Sequence, residues 1–567
     1  MWRLALVLGV FFFVFLGSRP LSNPDEGRYA EIPREMALSG DFVTPRLNGV
    51  KYFEKPPFVY WLSAATFKVA GVNEWSARFW CAAFAVFGSL LTYAAGRALY
   101  DRLTGIFGAF VLSSSLLYYG LSRIVLLDLV VAVWIAAALF CFLLAVREPP
   151  NRKRRLLFMA FYASMAFGTL TKGLIGIVLP CGAAGLWVLA LNQWRSLRPF
   201  YPVSGTIVLL AIAAPWHMLA ARANPDFLWF YFVHEHFLRF TTQAHGRYEP
   251  WWFFVPVLLA GLFPWVVFLP QSLRSALSGG WRERKSNSAA WFLVIWSVFI
   301  LVFFSKSQSK LVPYILPVFP AIAVLVGRYL AKAWVGSLAQ PSRVGFYVFT
   351  ALCQVLAVAC VAYAVVLMAT KSGRDVAMTV ELLPWLWRLT AILAACGLAV
   401  MSAAEWRSTR SALIVLVGST VVLLVVLNPV GAVVDRRSTK LLALQLKTEC
   451  GPNDEVYAVG EYFQDFPVYL GRLVSVVDYA GELEFGIHAE PEKTAARFLS
   501  REAFLAKWRE PRRQFAIARQ RDVADLLTRS DFPHVVLGTF REQVLLANRP
   551  LSPEVPLARV NLIAKPD

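Results

Sequence analysis

The chain has 567 residues, 58% hydrophobic and only 16% charged, where soluble domains are roughly one quarter charged. This excludes an ordinary soluble protein and points to an α-helical polytopic membrane protein. Its 56 lysines and arginines against 36 acids give a formal net charge of +20, but the basic residues gather in short runs between apolar segments, which reflects membrane topology and excludes nucleic acid as a partner.

In chain order, "MWRLALVLGVFFFVFLGS" carries one arginine and then an apolar stretch without a small-x-small cleavage site, so a retained first helix is expected over 2–20. Next comes "LSNPDEGRYAEIPREM" (21–36), which crowds Asp25, Glu26, Arg28 and Glu31 around Tyr29; residues 26–38 have the spacing of an amphipathic helix. The plain explanation is a charged headgroup-layer segment in which Arg28 pairs with Asp25 or Glu31. "KYFEKPPFVYW" (51–61) then sets Tyr52, Glu54 and Lys55 before a Pro-Pro pair that stiffens the entry to a second amphipathic helix, 57–71.

Further apolar runs at 76–98, 104–120, 124–146, 156–171, 173–192, 202–221, 251–272, 288–304, 311–330, 344–369, 386–403 and 410–429 bring the expected spans to thirteen. With a cytoplasmic N-terminus, all five strongly basic short loops, from "REPPNRKRR" (147–155) to "EWRSTR" (405–410), fall on the inner side. The outer side then receives 21–75, 222–250, "SKSQSK" (305–310) and the tail.

Three features on that side need explanation. Asp128, in "YYGLSRIVLLDLVVAVW", is a carboxylate about one turn inside an apolar helix, where charge is costly and marks function unless Arg123 or a cap satisfies it. "NPDFLWFYFVHEHFLRF" (224–240), too polar to span, sets His234, Glu235, His236 and Arg239 among aromatics. "SKSQSKLVPYILPVFP" (305–320) supplies Lys306, Lys310 and Tyr314 beside helix-breaking prolines. Carboxylates, imidazoles and cations with aromatic walls suit an anionic, partly apolar substrate, with Arg and Lys on phosphate oxygens and a carboxylate as base or orienting group.

Six of the seven cysteines lie inside apolar runs, without metal-ligand spacing. After Pro429 the composition becomes that of a soluble protein. Short β-rich runs ("EVYAVG", "RLVSVVDYA", "RQFAIAR", "HVVLGTF") alternate with helical ones such as "TAARFLSREAFLAKWRE", predicting an extracytoplasmic α/β domain over 435–567. Residues 1–434 are assigned to the transmembrane domain, with juxtamembrane helices at about 21–75 and 222–250.

Taken in order, "NPDEGRYAEIPREM", "YFEKPPFVYWL", "RIVLLDLV", "EHFLRF" and "KLVPYILPVFP" closely resemble the GT-C glycosyltransferases of the bacterial lipid A aminoarabinose transferase type, relatives of the protein O-mannosyltransferases. The resemblance covers nearly the whole chain. It implies an inverting enzyme that moves 4-amino-4-deoxy-L-arabinose from undecaprenyl phosphate to a lipid A phosphate at the periplasmic face of the bacterial inner membrane. It also implies Asp25 and Asp128 as catalytic carboxylates, Arg28 and Tyr29 in the motif around Asp25, and Lys55, Arg239 and Tyr314 around the donor phosphate; with Tyr52, Lys306 and Lys310 these complete the expected substrate-binding set. Glu54 with His234 or His236 would be a metal-contacting pair, but two ligands do not close a zinc site, and cations alone can stabilise the leaving phosphate, so no cofactor is required.

Two other readings stay open: a related transferase using another sugar or a protein or other glycolipid acceptor, and a transporter of lipid-linked sugars, which would place its charges at the midplane of repeated halves. No internal repeat is visible.

Overall fold

A computed structural model describes residues 1–238, 249–336, 343–369, 376–406, 408–434, 437–529 and 532–550. Arg239 lies outside the described residues, and of His236 only the backbone is described. The chain divides into two compact units: Met1–Leu16 with Arg78–Val434, and Gly17–Ala77 with the described residues from Arg437 on.

The first unit is helical. All thirteen expected runs contain helix, yet among the described residues eight helices are long and apolar enough to cross a membrane, or nine if Phe254–Gly261 and Trp265–Ala276, bent by 101°, form one span. Pro264 stands at that bend, where it removes a helical donor. The other four runs are shorter or more polar: Trp2–Phe13, Arg102–Ser113 with Leu116–Leu121, Arg152–Lys172 and Ile175–Leu191. The first run stops being helical at Phe13, so its helix measures about 18 Å, short of a hydrocarbon core of roughly 30 Å.

Helix Leu127–Arg147 is apolar on every side, with a mean hydropathy of 2.9, because it is enclosed by its neighbours and has no solvent-facing stripe to fill with polar residues. Helix Phe319–Val335 is similarly enclosed and crosses Arg102–Ser113 so closely that a Cβ on Gly327 would lie 2.5 Å from the Gly108 nitrogen. Two buried arginines receive the carbonyl end of the first helix. Arg78 donates to Leu16 O at 3.1 Å, and Arg123 donates to Phe11 O and Val14 O at 3.2 and 2.8 Å. Carbonyls at a helix end lack intrahelical partners, so a guanidinium there satisfies groups that would otherwise be orphaned.

The second unit combines an α/β sheet domain with the early segment. Its six-stranded sheet has the order β5-β4-β3-β6-β8-β7, where β3 is Glu455–Val459, β4 Ser475–Val477, β5 Phe498–Leu499, β6 Gln514–Arg519, β7 Val535–Phe540 and β8 Gln543–Ala547. The pairs β5-β4, β4-β3 and β3-β6 are parallel, while β8 runs antiparallel to β6 and β7. Tyr457, Phe504, Trp508, Ala516 and Leu546 are central to one hydrophobic cluster of this sheet. The stretch "TAARFLSREAFLAKWRE" is helical only over Arg501–Trp508: β5 precedes it, and Ser500 caps the helix by accepting from Ala503 N.

Residues 17–77, assigned from sequence to the membrane domain, pack instead as one unit with this α/β domain. The cause is a set of contacts between chain-distant polar groups. Asn23 Nδ2 donates to Asp465 at 2.5 Å and Asp465 N donates back to Asn23 Oδ1 at 2.9 Å; the buried Asp465 carboxylate also accepts from Ser438 and Thr439. At the tip of the hairpin formed by β1 (Arg46–Leu47) and β2 (Val50–Lys51), the Asn48 side chain bonds both N and O of Val474. Helix Asp25–Ser39 approaches Gln464 and Asp465 through Gly27, where a Cβ would collide with their backbone. Gly27→Ala should therefore cost about 1–3 kcal/mol through forced backbone displacement, read as a lower Tm of the purified protein; an unchanged Tm would contradict this packing.

Candidate active site

In the second unit, helix Asp25–Ser39 starts just after Pro24 with Asp25 and Glu26 in its first turn, where carboxylates favour the exposed N–H groups and the helix dipole. Glu26 is buried, accepts from Ser22 N at 3.1 Å and pairs with Arg19 at 3.2 Å, so it terminates the helix. Glu31 is held by Arg34 through two bonds of 2.6 and 2.5 Å. This leaves Asp25, with a half-exposed side chain, as the chemically available acid of the patch; Arg28 Nη1 bonds it at 2.9 Å.

Arg28 also pairs through Nη2 with Glu482 and lies 5.6 Å from the centre of the Tyr29 ring, which stacks on Tyr60 at 6.2 Å. Burial works against the Arg28 charge, but the neighbouring Tyr52, Glu482, Tyr29 and Glu54 outweigh it and hold the guanidinium above its ordinary range. Tyr52 is buried, with no hydrogen-bond partner for its hydroxyl among the described residues, and burial raises that phenol well above its usual range. Lys55 is buried, donates to Glu54 O at 2.6 Å and lies 3.9 Å from the Glu54 carboxylate. The Arg28 guanidinium thus faces the Tyr52 phenol, while the Lys55 ammonium is turned to Glu54.

In the first unit, Asp128 occupies the first turn of Leu127–Arg147 and forms an ion pair with Lys172, in the last turn of Arg152–Lys172. Arg123, weighed from sequence as its partner, is committed to the first helix instead. The Lys172 ammonium lies 4.8 Å from the centre of the Tyr314 ring, so a carboxylate, a cation and a phenol share one place. Tyr314 stands on the 3-10 segment Val312–Val318, produced by Pro313 and Pro317 where an α-helix cannot continue. Lys310 is buried and donates to Glu249 O and Ser307 O at 2.8 and 2.7 Å, which fixes this turn; Lys306 is exposed.

His234 lies in a π-helical segment, Trp229–Leu238, stacked on Phe230 at 5.1 Å with its Nδ1 3.3 Å from Glu235. Glu54 belongs to the other compact unit. Among the described residues no group of three or more His, Cys, Asp and Glu gathers as metal ligands, and His234 Nδ1 faces Glu235.

Sequence reasoning missed Lys172 and Glu482. Lys172 reads as an ordinary basic residue ending a helix before Gly173, although its lysine on the outer side of the predicted topology is the signal that could have found it. Glu482 is a single acid on a short 3-10 turn and carries no sequence signal.

Two clusters that pair an acid with a base thus lie on a chain with eight or nine helices long and apolar enough to cross a membrane and a C-terminal α/β domain. Residues 21–232 match the family described as dolichyl-phosphate-mannose-protein mannosyltransferase, and 442–548 match the aminoarabinose transferase C-terminal domain. An undecaprenyl phosphate-alpha-4-amino-4-deoxy-L-arabinose arabinosyl transferase 2 of Sodalis glossinidius is 36% identical over 58% of this chain and 59% of its own length. A transferase of the same description from Erwinia tasmaniensis is 34% identical over 63% and 66%. The chain thus spans about three fifths to two thirds of these curated relatives. The crystal structure of ArnT from Cupriavidus metallidurans bound to undecaprenyl phosphate is similar over 96% of this chain and 97% of that one, with a TM-score of 0.85 at 28% identity. The chain is thus similar to aminoarabinose transferases over nearly its whole length, and over 21–232 to the protein mannosyltransferase family.

Proposed function

We propose that this protein transfers 4-amino-4-deoxy-L-arabinose from undecaprenyl phosphate to a phosphate of lipid A, with inversion, at the periplasmic face of a bacterial inner membrane. The observation that carries this reading is the near full-length likeness to an ArnT structure holding undecaprenyl phosphate. Support comes from the agreement of the two curated relatives on donor and sugar, and from a cation and a phenol in contact, Lys172 and Tyr314, of the kind a prenyl phosphate needs.

In this reading the departing phosphate gathers negative charge as the sugar–oxygen bond breaks, and the buried ammonium groups stabilise that charge because little water competes for it. A lipid A phosphate is already ionised at neutral pH, so Asp25 has no proton to remove from it. Its work is to orient the acceptor and to stabilise positive charge on an oxocarbenium-like sugar, with Arg28 fixing its side chain. Asp128, balanced by Lys172, provides a second carboxylate for sugar hydroxyls or its ammonium group.

The test is a reaction of the purified protein with the lipid-linked sugar and lipid A. Release of undecaprenyl phosphate that depends on lipid A is the expected result. Release that proceeds equally without lipid A, or not at all, would contradict the assignment.

A further inference from the structure

Arg28 is the one side chain on helix Asp25–Ser39 that reaches two carboxylates at once. Its Nη1 bonds Asp25 Oδ1 at 2.9 Å, and its Nη2 pairs with Glu482, which comes from the C-terminal α/β domain. Glu482 is in turn fixed by Gln464 Nε2, which donates to its other oxygen at 2.6 Å. The guanidinium fork is planar and rigid, so fixing one amino group fixes the direction of the other. The Glu482 and Arg28 side chains are both 11% exposed, whereas that of Asp25 is 51% exposed. The buried end of this chain of one ion pair and two hydrogen bonds is therefore the anchor and the exposed end the part that works.

We propose that Glu482 is a positioning residue for transfer: with Gln464 it anchors Arg28, which holds the Asp25 carboxylate in its working rotamer, and this is a role of the C-terminal domain in the reaction. The proposal rests on the transferase reading above and on Asp25 as its working acid.

Two physical consequences follow. Without Glu482, Arg28 has only Asp25 as a direct ion-pair partner among those described for it; the guanidinium then follows the exposed carboxylate into several rotamers instead of holding it in one. Arg28 would also neutralise Asp25 more fully, because one cation would no longer be shared between two anions. Both effects act on the reacting geometry and leave donor binding largely alone, so they lower kcat and spare KM. Tyr52, Tyr29 and Glu54 face the same guanidinium and remain in place in the variants below.

The experiment measures transfer kinetics of the full-length protein for wild type, Asp25→Asn, Glu482→Gln, Gln464→Leu, Arg28→Lys and the double variant Arg28→Lys/Glu482→Gln, with Tm recorded for each. Glu482→Gln should lower kcat about 10- to 100-fold with the donor KM within about twofold, and the double variant should be no slower than Arg28→Lys alone. Full kcat in Glu482→Gln while Asp25→Asn is inactive overturns the relay and leaves the transferase reading standing, as does an additive double variant. No transfer by wild type, or normal transfer by Asp25→Asn, overturns both. Should Glu482→Gln fail to fold, Gln464→Leu, which keeps the charge and removes its anchor, decides: a kcat reduced severalfold supports the relay and an unchanged kcat overturns it.

Discussion

Asp25→Asn should abolish at least about 99.9% of turnover while the protein stays folded and inserted, in line with the roughly 10²- to 10⁴-fold contributions of single positioned catalytic groups. The substitution preserves shape and removes charge. Arg28 keeps Glu482 as its buried partner, so no isolated charge is left behind and stability should change little. The donor KM should also hold, since the candidate phosphate-binding cations are other residues. Near-normal kcat in this variant would remove Asp25 from the chemistry.

The second large effect is expected at Lys172. Lys172→Met leaves the Asp128 carboxylate, 13% exposed, without its cation at the start of an apolar helix. Breaking a largely shielded pair from one side costs up to about 3–5 kcal/mol, the figure for a fully buried pair, because the remaining charge is uncompensated. The protein should therefore lose both thermal stability and transfer. Adding Asp128→Asn should restore much of the Tm, since the orphaned charge is gone, and should not restore transfer, because the groups proposed to touch the sugar and phosphate are still missing. Recovery of transfer in the double variant would show the pair to be purely structural; a normal Tm in the single variant would show that Asp128 is adequately solvated without Lys172.

The apolar runs were legible because membrane-length hydrophobicity is a strong, local signal. What interrupts them was less so. The helix break at Pro264 and the early end of the first helix at Phe13 fall inside runs that stay uniformly greasy, so hydropathy alone passes over them. In the soluble part, β3, β4, β6 and β7 announced themselves through β-branched and aromatic runs, while the two-residue β5 hid inside a helical-looking stretch.

Asp25 and Asp128 could be singled out as candidates from sequence, but their pairings could not. Asp25 and Asp128 stood out because acids next to or within apolar helices are costly. Their partners did not: Lys172 and Glu482 are distant in sequence and unremarkable in composition. For the same reason the grouping of 17–77 with the C-terminal domain was invisible, since it depends on Asn23 meeting Asp465 and Asn48 meeting Val474 across more than four hundred residues.

The most direct measurement is the mass of lipid A from cells that make the aminoarabinose lipid donor, lack their own transferase, and carry either this protein or its Asp25→Asn variant. The account predicts lipid A heavier by one aminoarabinose per modified phosphate with the wild type and unmodified lipid A with the variant. Unmodified lipid A from cells in which the wild-type protein is shown to be inserted would contradict it.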